Sequence, residues 1–202
     1  GFETELLIDA SRADILDAIN RYVRLLEPED RFILYYAGHG YFDETADLAY
    51  WLPVDASTET DTNWILSNRI TGSLRRMEAQ HVAVIADSCY SGTLTRDASI
   101  DLTSTDRSTT EYLRRMVERP SRTLLASGGN EPVADGGGGN HSVFASYMLN
   151  ALASPYQEVF SLQHLFHNEI RVQVTGNSLQ TPEYTTIRNS GHEGGDFVFV
   201  RQ

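Results

Sequence analysis

Two uninterrupted apolar runs stand out in the pattern of hydrophobic and polar positions along the chain. The first, Phe32 to Ala37, belongs to a predicted strand over residues 31–37 and is followed by a Gly-His-Gly motif with His39 at its centre. The second covers residues 82–86 and is followed by an Asp-Ser-Cys motif that ends at Cys89. Short apolar runs that end at turn-forming residues predict buried strands. If the two strands lie side by side, the imidazole and the thiol meet at one end of a sheet.

The rest of the pattern predicts an α/β fold in a single domain over residues 1–202. A strand, a helix and a strand of these lengths form a parallel crossover unit, so we expect a mostly parallel sheet with helices on both faces. Ser11 and Ser67 are candidate N-caps of the first two helices. Besides the two strands above, strands are predicted over residues 1–8, 122–129 and 197–200, and helices over residues 11–26, 67–80, 109–119, 141–153 and 161–174.

Two segments show no hydrophobic periodicity, which predicts irregular structure. Residues 93–110 are rich in Ser, Thr and Asp and contain Arg96 and Arg107, so we expect a mobile loop there. Residues 130–140 contain four consecutive glycines together with Asp135. This second segment lacks the Lys-Ser/Thr ending of a phosphate-binding loop.

Composition and charge narrow the class of function. No apolar run approaches the ~20 residues that span a bilayer. The formal net charge of −12 argues against nucleic acid or an anionic membrane as a partner and mildly favours basic peptides. The single cysteine excludes an internal disulfide and a Cys-based zinc cluster. A free thiol fits a reducing compartment, so we expect a cytoplasmic location.

The pairing of Cys89 with His39 suits a cysteine nucleophile activated by a histidine base. A thiol with a pKa of ~8.5 is only slightly ionised at neutral pH, and a neighbouring imidazole raises the thiolate share. This chemistry requires no cofactor. No metal site is predicted, because His164 and His167 share a helix face without a third ligand in view.

At YYAGHG and DSCYSG the chain resembles the caspase-like cysteine peptidases, and it is most similar to the metacaspase-like, orthocaspase-type members found in prokaryotes. Residues 121–152 and 180–200 resemble the later half of those bacterial domains, so the resemblance covers nearly the whole chain. It implies a caspase-like three-layer fold. It also implies a cysteine-type endopeptidase, a thiol protease of the hydrolase class that is often made as a zymogen.

The resemblance carries site roles over to matching positions. His39 would be the general base and Cys89 the nucleophile, and the backbone N–H groups of Gly40 and Cys89 would form the oxyanion hole. Fixed backbone donors of this kind stabilise a tetrahedral oxyanion by ~3 kcal/mol each.

Asp87 would decide specificity in this family. An acidic residue two positions before the cysteine resembles metacaspases, which cut after Arg or Lys, whereas caspases that cut after aspartate carry glutamine there. A carboxylate pairs with a guanidinium through charge-assisted contacts, so we expect Arg, then Lys, before the cleaved bond. Ser127 and Asp135 are further candidate substrate-binding residues, with a solvated role for Asp135 equally open. Ala37 stands where the family usually has a serine.

The family's opening strand and helix have no counterpart in residues 1–202. That strand would lie between residues 1–8 and 31–37, so we expect a preceding segment or another chain to supply it. Arg96 and Arg107 lie where caspase-like enzymes are often cut on activation, with a plain loop as the alternative. Calcium dependence, the trigger and the physiological substrate are left open by the sequence.

Two other functions remain open at this point. One is a caspase-like adaptor or assembly module whose catalytic residues are idle. The other is an active peptidase with aspartate specificity, which the charge of Asp87 disfavours.

Overall fold

The structure, a computed structural model, describes residues 1–88, 106–128, 141–153 and 157–201, and of residues 106–110 it describes the backbone alone. In chain order its helices and strands are α1 (Arg12–Leu25), β1 (Arg31–Ala37), β2 (His39–Asp43), β3 (Leu48–Leu52), β4 (Ile65–Leu66), α2 (Ser67–Arg75), β5 (His81–Asp87), α3 (Asp106–Glu118), β6 (Ser121–Ala126), α4 (Val143–Ala153), β7 (Val159–Ser161), α5 (Leu162–Leu165), α6 (Arg171–Asn177), β8 (Glu183–Thr186) and β9 (Val198–Val200). A π-helical turn, Phe166–Ile170, joins α5 to α6.

A central sheet has the strand order β1-β5-β6-β8. β1, β5 and β6 are parallel, and β8 runs antiparallel to β6. Every residue of β5 and β6 is buried, because both strands are internal and both faces of the sheet are covered. This arrangement explains why the strands appear in the sequence as continuous apolar runs, and it confirms the α/β class with a mostly parallel sheet.

Helices cover both faces of this sheet. Val82, Val84 and Ala86 of β5 belong to one apolar core, which also contains side chains of α1 and α2. Ala83 and Ile85 point to the opposite face and belong to a second core, formed with α4, α5 and α6. The alternation follows from the two-residue period of a strand and gives three layers. No helix in the described part of the chain is long and apolar enough to cross a membrane.

The first helix begins as its sequence predicts, and the second does not. Ser11 accepts a hydrogen bond from the backbone N–H of Asp14 at 3.2 Å, and the Asp14 carboxylate accepts one from the Ser11 N–H at 2.9 Å. This reciprocal capping box confirms Ser11 as an N-cap. Ser67, by contrast, is the first residue of α2, and its N-cap, Leu66, makes no side-chain hydrogen bond. The chain enters α2 directly from β4, so strand pairing fixes this start.

Residues 1–8 do not form the predicted strand. A strand requires a hydrogen-bonding neighbour, and among the described residues none pairs with this segment. Side-chain contacts hold it instead: the Tyr22 hydroxyl donates to the Glu5 carboxylate at 2.9 Å, and the ring of Phe2 stacks on that of Phe197 with centroids 6.3 Å apart.

Two other predicted elements differ from the structure, and one strand was not predicted. α3 begins at Asp106, so residues 106–110 are helical rather than part of a loop, and residues 93–105 lie outside the described residues. The strand near the carboxyl terminus, β9, pairs with β7 in a separate ribbon. β8 was missed, since its four residues, EYTT, are too few to show a period.

The side chains of His81, Arg122 and His192, which we call the basal joint, lie at the amino-terminal end of the sheet. They connect it to α2, α3 and the segment before β5. The buried Arg122 guanidinium donates to carbonyl groups at the end of α2 and before β5, at 3.0–3.3 Å. His81 Nε2 donates to the Val117 carbonyl of α3 at 2.9 Å, and His192 Nδ1 accepts from the Arg122 N–H at 3.1 Å. Both imidazoles therefore fit the joint in their neutral form.

Acid is expected to destabilise the fold through this joint. Burial lowers the pKa of His81 and of His192, and the charge of Arg122 lowers both further. An unfolded histidine titrates near pH ~6.5, so the stabilisation is complete above that pH and is lost as the pH falls towards the folded-state pKa. His81→Gln should reduce the loss of unfolding free energy between pH 7.5 and pH 5.5 by about 1 kcal/mol, measured by urea unfolding.

A matched control is His141→Gln, which removes an exposed imidazole outside the basal joint. This variant should keep the pH dependence of the wild-type protein. Equal pH dependence in His81→Gln and the wild type would contradict the role assigned to His81.

Candidate functional site

The carboxyl ends of β1 and β5 bring the candidate catalytic positions together. Each residue of β1 pairs with the residue 50 positions later in β5, and the last pair is Ala37 with Asp87. His39 and Cys89 are separated by the same 50 positions, each two residues beyond that pair. The Gly38 N–H donates to the Asp87 carbonyl at 3.5 Å, so the strands stay adjacent past the last pair. Cys89 itself lies outside the described residues.

Tyr36 fixes the position of the His39 backbone at the start of β2. Its hydroxyl donates to the carbonyl oxygens of His39 at 2.8 Å and Leu52 at 3.3 Å. Its ring stacks on Trp51 of β3, with centroids 4.2 Å apart and planes 1° from parallel. Burial raises the pKa of Tyr36 to about 12, so the phenol stays protonated and keeps donating. The antiparallel ribbon of β2 and β3 is thereby held against β1, and the His39 side chain is left exposed.

Gly38 is the residue that lets the chain pass this tyrosine. A Cβ atom at Gly38 would lie 2.7 Å from Tyr36 Oη and 2.8 Å from Tyr36 Cζ. The Tyr36 ring cannot move away, because hydrogen bonds hold its hydroxyl and Trp51 covers its face. The first glycine of the Gly-His-Gly motif is therefore required by packing.

Asp87 ends β5 as a buried carboxylate that is only 7% exposed. Its Oδ2 atom accepts hydrogen bonds from the hydroxyls of Ser142 at 2.5 Å and Tyr35 at 3.1 Å. Its Oδ1 atom is buried and has no hydrogen-bond partner among the described residues. Burial and the negative charge of Asp87 raise the pKa of Tyr35, which keeps this hydroxyl a donor. A buried carboxylate with an unused oxygen is suited to accept a cationic group.

The sequence analysis missed two residues at this carboxylate. Tyr35 lies two positions before Ala37 on the same face of β1, so strand alternation would have placed it beside Asp87. Ser142 also accepts from the Ala145 N–H at 2.9 Å and caps α4. Its position as the second residue of a predicted helix was a visible signal, because serine favours helix N-caps.

The remaining candidates are distributed as follows. Ser127 is fully buried at the end of β6, and its hydroxyl donates to the Ser88 carbonyl at 3.4 Å, next to the Asp87 position. Gly40 pairs with Trp51 in the β2–β3 ribbon. Ala37 is exposed at the end of β1. Cys89, Arg96 and Asp135 lie outside the described residues.

Arg107 lies in the first turn of α3, where the sequence predicted a loop. A predicted loop site that is in fact helical is a poorer target for proteolysis than an exposed loop tip. The described residues include no group of three or more His, Cys, Asp or Glu side chains that could hold a metal ion.

Comparisons with known proteins agree with this architecture. A family model described as "Caspase domain" matches residues 1–190. No curated protein matches the chain. Among solved structures, the chain is similar to the crystal structure of protein GSU0716 from Geobacter sulfurreducens, with 18% identity and a TM-score of 0.55. That match covers 96% of this chain and 80% of the other, and at this identity it supports the fold alone.

The packing at Gly38 predicts opposite effects for two glycine substitutions. Gly38→Ala should destabilise the protein by about 1–3 kcal/mol, because the added methyl group meets the fixed ring of Tyr36. Gly72→Ala is the matched control: Gly72 is exposed within α2, nothing lies within 4 Å of its added Cβ, and alanine favours a helix by about 0.5–1 kcal/mol. Thermal and urea unfolding would measure the stability of both variants. Equal melting temperatures for Gly38→Ala and the wild type would contradict the close packing of Gly38 against Tyr36.

Proposed function

The chain belongs to the caspase-domain family, which implies a cysteine-type peptidase, and on that premise we propose that it is an endopeptidase that cleaves after basic residues, Arg in preference to Lys. The observation that carries the proposal is the parallel pairing of β1 with β5, which ends with Ala37 beside Asp87. Covalent geometry keeps the Cα atom of Cys89 about 3.8 Å from that of Ser88. This supports our proposal that the thiol acts at the same end of the sheet as His39.

The proposed mechanism uses His39 and Cys89 as a dyad. His39 takes the thiol proton, and the thiolate attacks the peptide carbonyl carbon. The backbone N–H groups of Gly40 and Cys89 stabilise the oxyanion. His39 then gives the proton to the leaving amine as the C–N bond breaks, which leaves an acyl-enzyme. Water, deprotonated by His39, hydrolyses the thioester and restores the thiol. These steps need no cofactor, and the free thiol suits the reducing cytoplasm.

The proposed preference for Arg rests on the surroundings of Asp87. Two neutral hydroxyls bind one of its oxygens, and no arginine pairs with it in the described part of the chain. A substrate guanidinium can donate to the free Oδ1 atom and offset the cost of burying the charge. Arg is favoured over Lys because its planar fork matches a carboxylate. We assign Ala37, Ser127 and Asp135 to the walls of the same pocket.

Activation by self-cleavage is a further part of the proposal. The chain contains no lysine, so every basic site within it is an arginine. Arg96 lies between the nucleophile and α3 in sequence, and Arg107 lies in the first turn of α3. Cleavage after Arg107 would require the first turn of α3 to unfold, which favours Arg96.

We also propose that a further strand covers the outer edge of β1. Among the described strands β1 pairs with β5 alone, so its other edge has unpaired backbone groups. Leu6 and Ile8, which precede α1 in the chain, are 80% and 74% exposed. A strand from a segment preceding Gly1, or from another chain, would pair with β1 and cover these side chains.

Turnover of a peptide panel tests the proposed specificity. Fluorogenic peptides with Arg, Lys or Asp before the reporter should be cut in the order Arg, Lys, with no cleavage after Asp. Cys89→Ala should abolish turnover. Asp87→Asn should lower kcat/KM for the Arg peptide by about 10- to 100-fold, because a hydrogen bond to a charged group contributes about 1.5–3 kcal/mol.

The matched control is Asp17→Asn, which removes an exposed carboxylate on α1 and should leave the panel unchanged. Cleavage after Asp would contradict the assigned pocket but keep the peptidase. Absence of any turnover, also with the strand partner of β1 supplied, would favour the idle adaptor.

Hydrogen exchange tests the free edge of β1. In a parallel strand the amides alternate between the two neighbours, so every second amide of β1 faces away from β5. Residues 1–202 alone should show protected inward amides and rapidly exchanging outward amides within Arg31–Ala37. Equal protection of both sets in a monomer, established by sedimentation, would contradict a free edge.

A further inference from the structure

The β2–β3 ribbon has two faces with different surroundings. Directly paired residues of an antiparallel ribbon share a face, and the faces alternate along each strand. The pair Gly40 and Trp51 lies on the inner face, where Trp51 stacks on the central sheet. The pair Tyr41 and Tyr50 lies on the outer face, and so does His39. The proposed catalytic base therefore shares its face with two tyrosines.

Three rings form a continuous surface on this outer face, which we call the outer aromatic cluster: Tyr41, Tyr50 and Trp64. The centroid distances are 4.9 Å between Tyr41 and Trp64, 5.4 Å between Tyr50 and Trp64, and 6.4 Å between the two tyrosines. The indole N–H of Trp64 donates to the Ser57 carbonyl at 2.9 Å, which fixes its ring. Tyr41 stays 41% exposed although it is aromatic. The cluster thus presents a preformed ring surface to solvent.

Two carboxylates border the outer aromatic cluster. Asp43 lies two residues beyond Tyr41 on the same face of β2, and the Asp61 carbonyl accepts a hydrogen bond from the Trp64 backbone N–H at 3.0 Å, so both residues adjoin the cluster. Burial raises the pKa of Tyr50, and the negative charges of Asp61 and Asp43 raise it further, which agrees with this placement. Asp43 is held in place, since its Oδ1 atom accepts from the N–H groups of Thr45 and Ala46 at 2.9 and 3.0 Å. Neither carboxylate forms an ion pair with an arginine among the described residues. Aromatic faces bordered by unpaired carboxylates suit a cationic side chain.

The chemistry of the base indicates which part of a substrate would pass here. His39 has to protonate the leaving amine, so its ring must face the leaving-group side of the cleaved bond. Tyr41 is two residues further along β2, and two residues of a strand span about 6.6 Å. An extended substrate would cover this distance with about two residues after the cleaved bond.

We propose that the outer aromatic cluster, with Asp43 and Asp61, binds a basic side chain that follows the cleaved bond of the substrate. The proposal rests on the proposed peptidase function, because that function sets the direction of the substrate. It assigns a second recognition point for positive charge, separate from Asp87. The residues that determine it are Tyr41 and Asp61, since both are exposed.

Binding of leaving-group peptides tests the proposal without requiring turnover. The probes are fluorescent peptides with a free amino terminus and one Arg, Gln or Glu at the first, second or third position, titrated into Cys89→Ala protein by anisotropy. The Arg peptide should bind about fivefold or more tightly than the Gln peptide, and the Glu peptide least tightly. Tyr41→Leu and Asp61→Asn should each remove most of this preference.

Conservative variants separate recognition from packing. Tyr41→Phe keeps the ring and should keep the preference for Arg, whereas Tyr41→Leu keeps only apolar bulk. Asp17→Asn controls for the loss of one negative charge and should bind as the parent does. Equal affinity for Arg and Gln peptides, or an unchanged preference in Tyr41→Leu, would overturn the proposal.

Measurements of peptide turnover distinguish the proposed peptidase function from the proposed second recognition point. Peptides with Arg before the cleaved bond and Arg or Gln after it should show a ratio of kcat/KM that falls in Tyr41→Leu and not in Tyr41→Phe. A wild-type protein that cuts both peptides equally keeps the peptidase and overturns the second recognition point. A protein that prefers the Arg leaving-group peptide in binding but cuts nothing overturns the peptidase instead.

Discussion

The parallel pairing of β1 with β5 is the constraint on which the site depends. The paired residues of β1 and β5 are 50 positions apart in sequence, which equals the spacing between His39 and Cys89. The register that buries β5 therefore also determines which residues follow the two strands at the same end of the sheet. A shift by one residue would turn the β1 side chains to the opposite face. It would also separate Ala37 from Asp87. The apolar cores on the two faces therefore fix the positions available for chemistry.

Tyr36 extends this constraint from the sheet to the ribbon that carries the base. The stack of Tyr36 on Trp51 and the hydrogen bond to the His39 carbonyl hold β2 and β3 against β1. Because the inner face of the ribbon packs against Tyr36 through Trp51, its outer face presents His39 and the outer aromatic cluster to solvent. One buried phenol thus connects the core to the ribbon that carries both His39 and the outer aromatic cluster.

Sequence patterns predicted the parts of the fold in which local and tertiary preferences agree. The apolar runs of β1 and β5 and the N-cap at Ser11 were confirmed. Residues 1–8 alternate like a strand but have no pairing neighbour, and pairing cannot be deduced from one segment. At the site, Asp87 was singled out from its place before the cysteine and from the family resemblance, and its role in specificity stays a prediction. Its partner Ser142 was missed, because the hydrogen bond joins residues 55 positions apart.

We propose that the end of the β1–β5 pair forms an active thiol site selective for arginine. The most direct test is labelling with a thiol-reactive peptidyl-arginine probe, followed by intact mass and peptide mapping. We expect one adduct at Cys89, formed at least about 10²-fold more slowly in His39→Ala, where the base is lost. Absence of an adduct, or equal labelling of the wild type and His39→Ala, would contradict it.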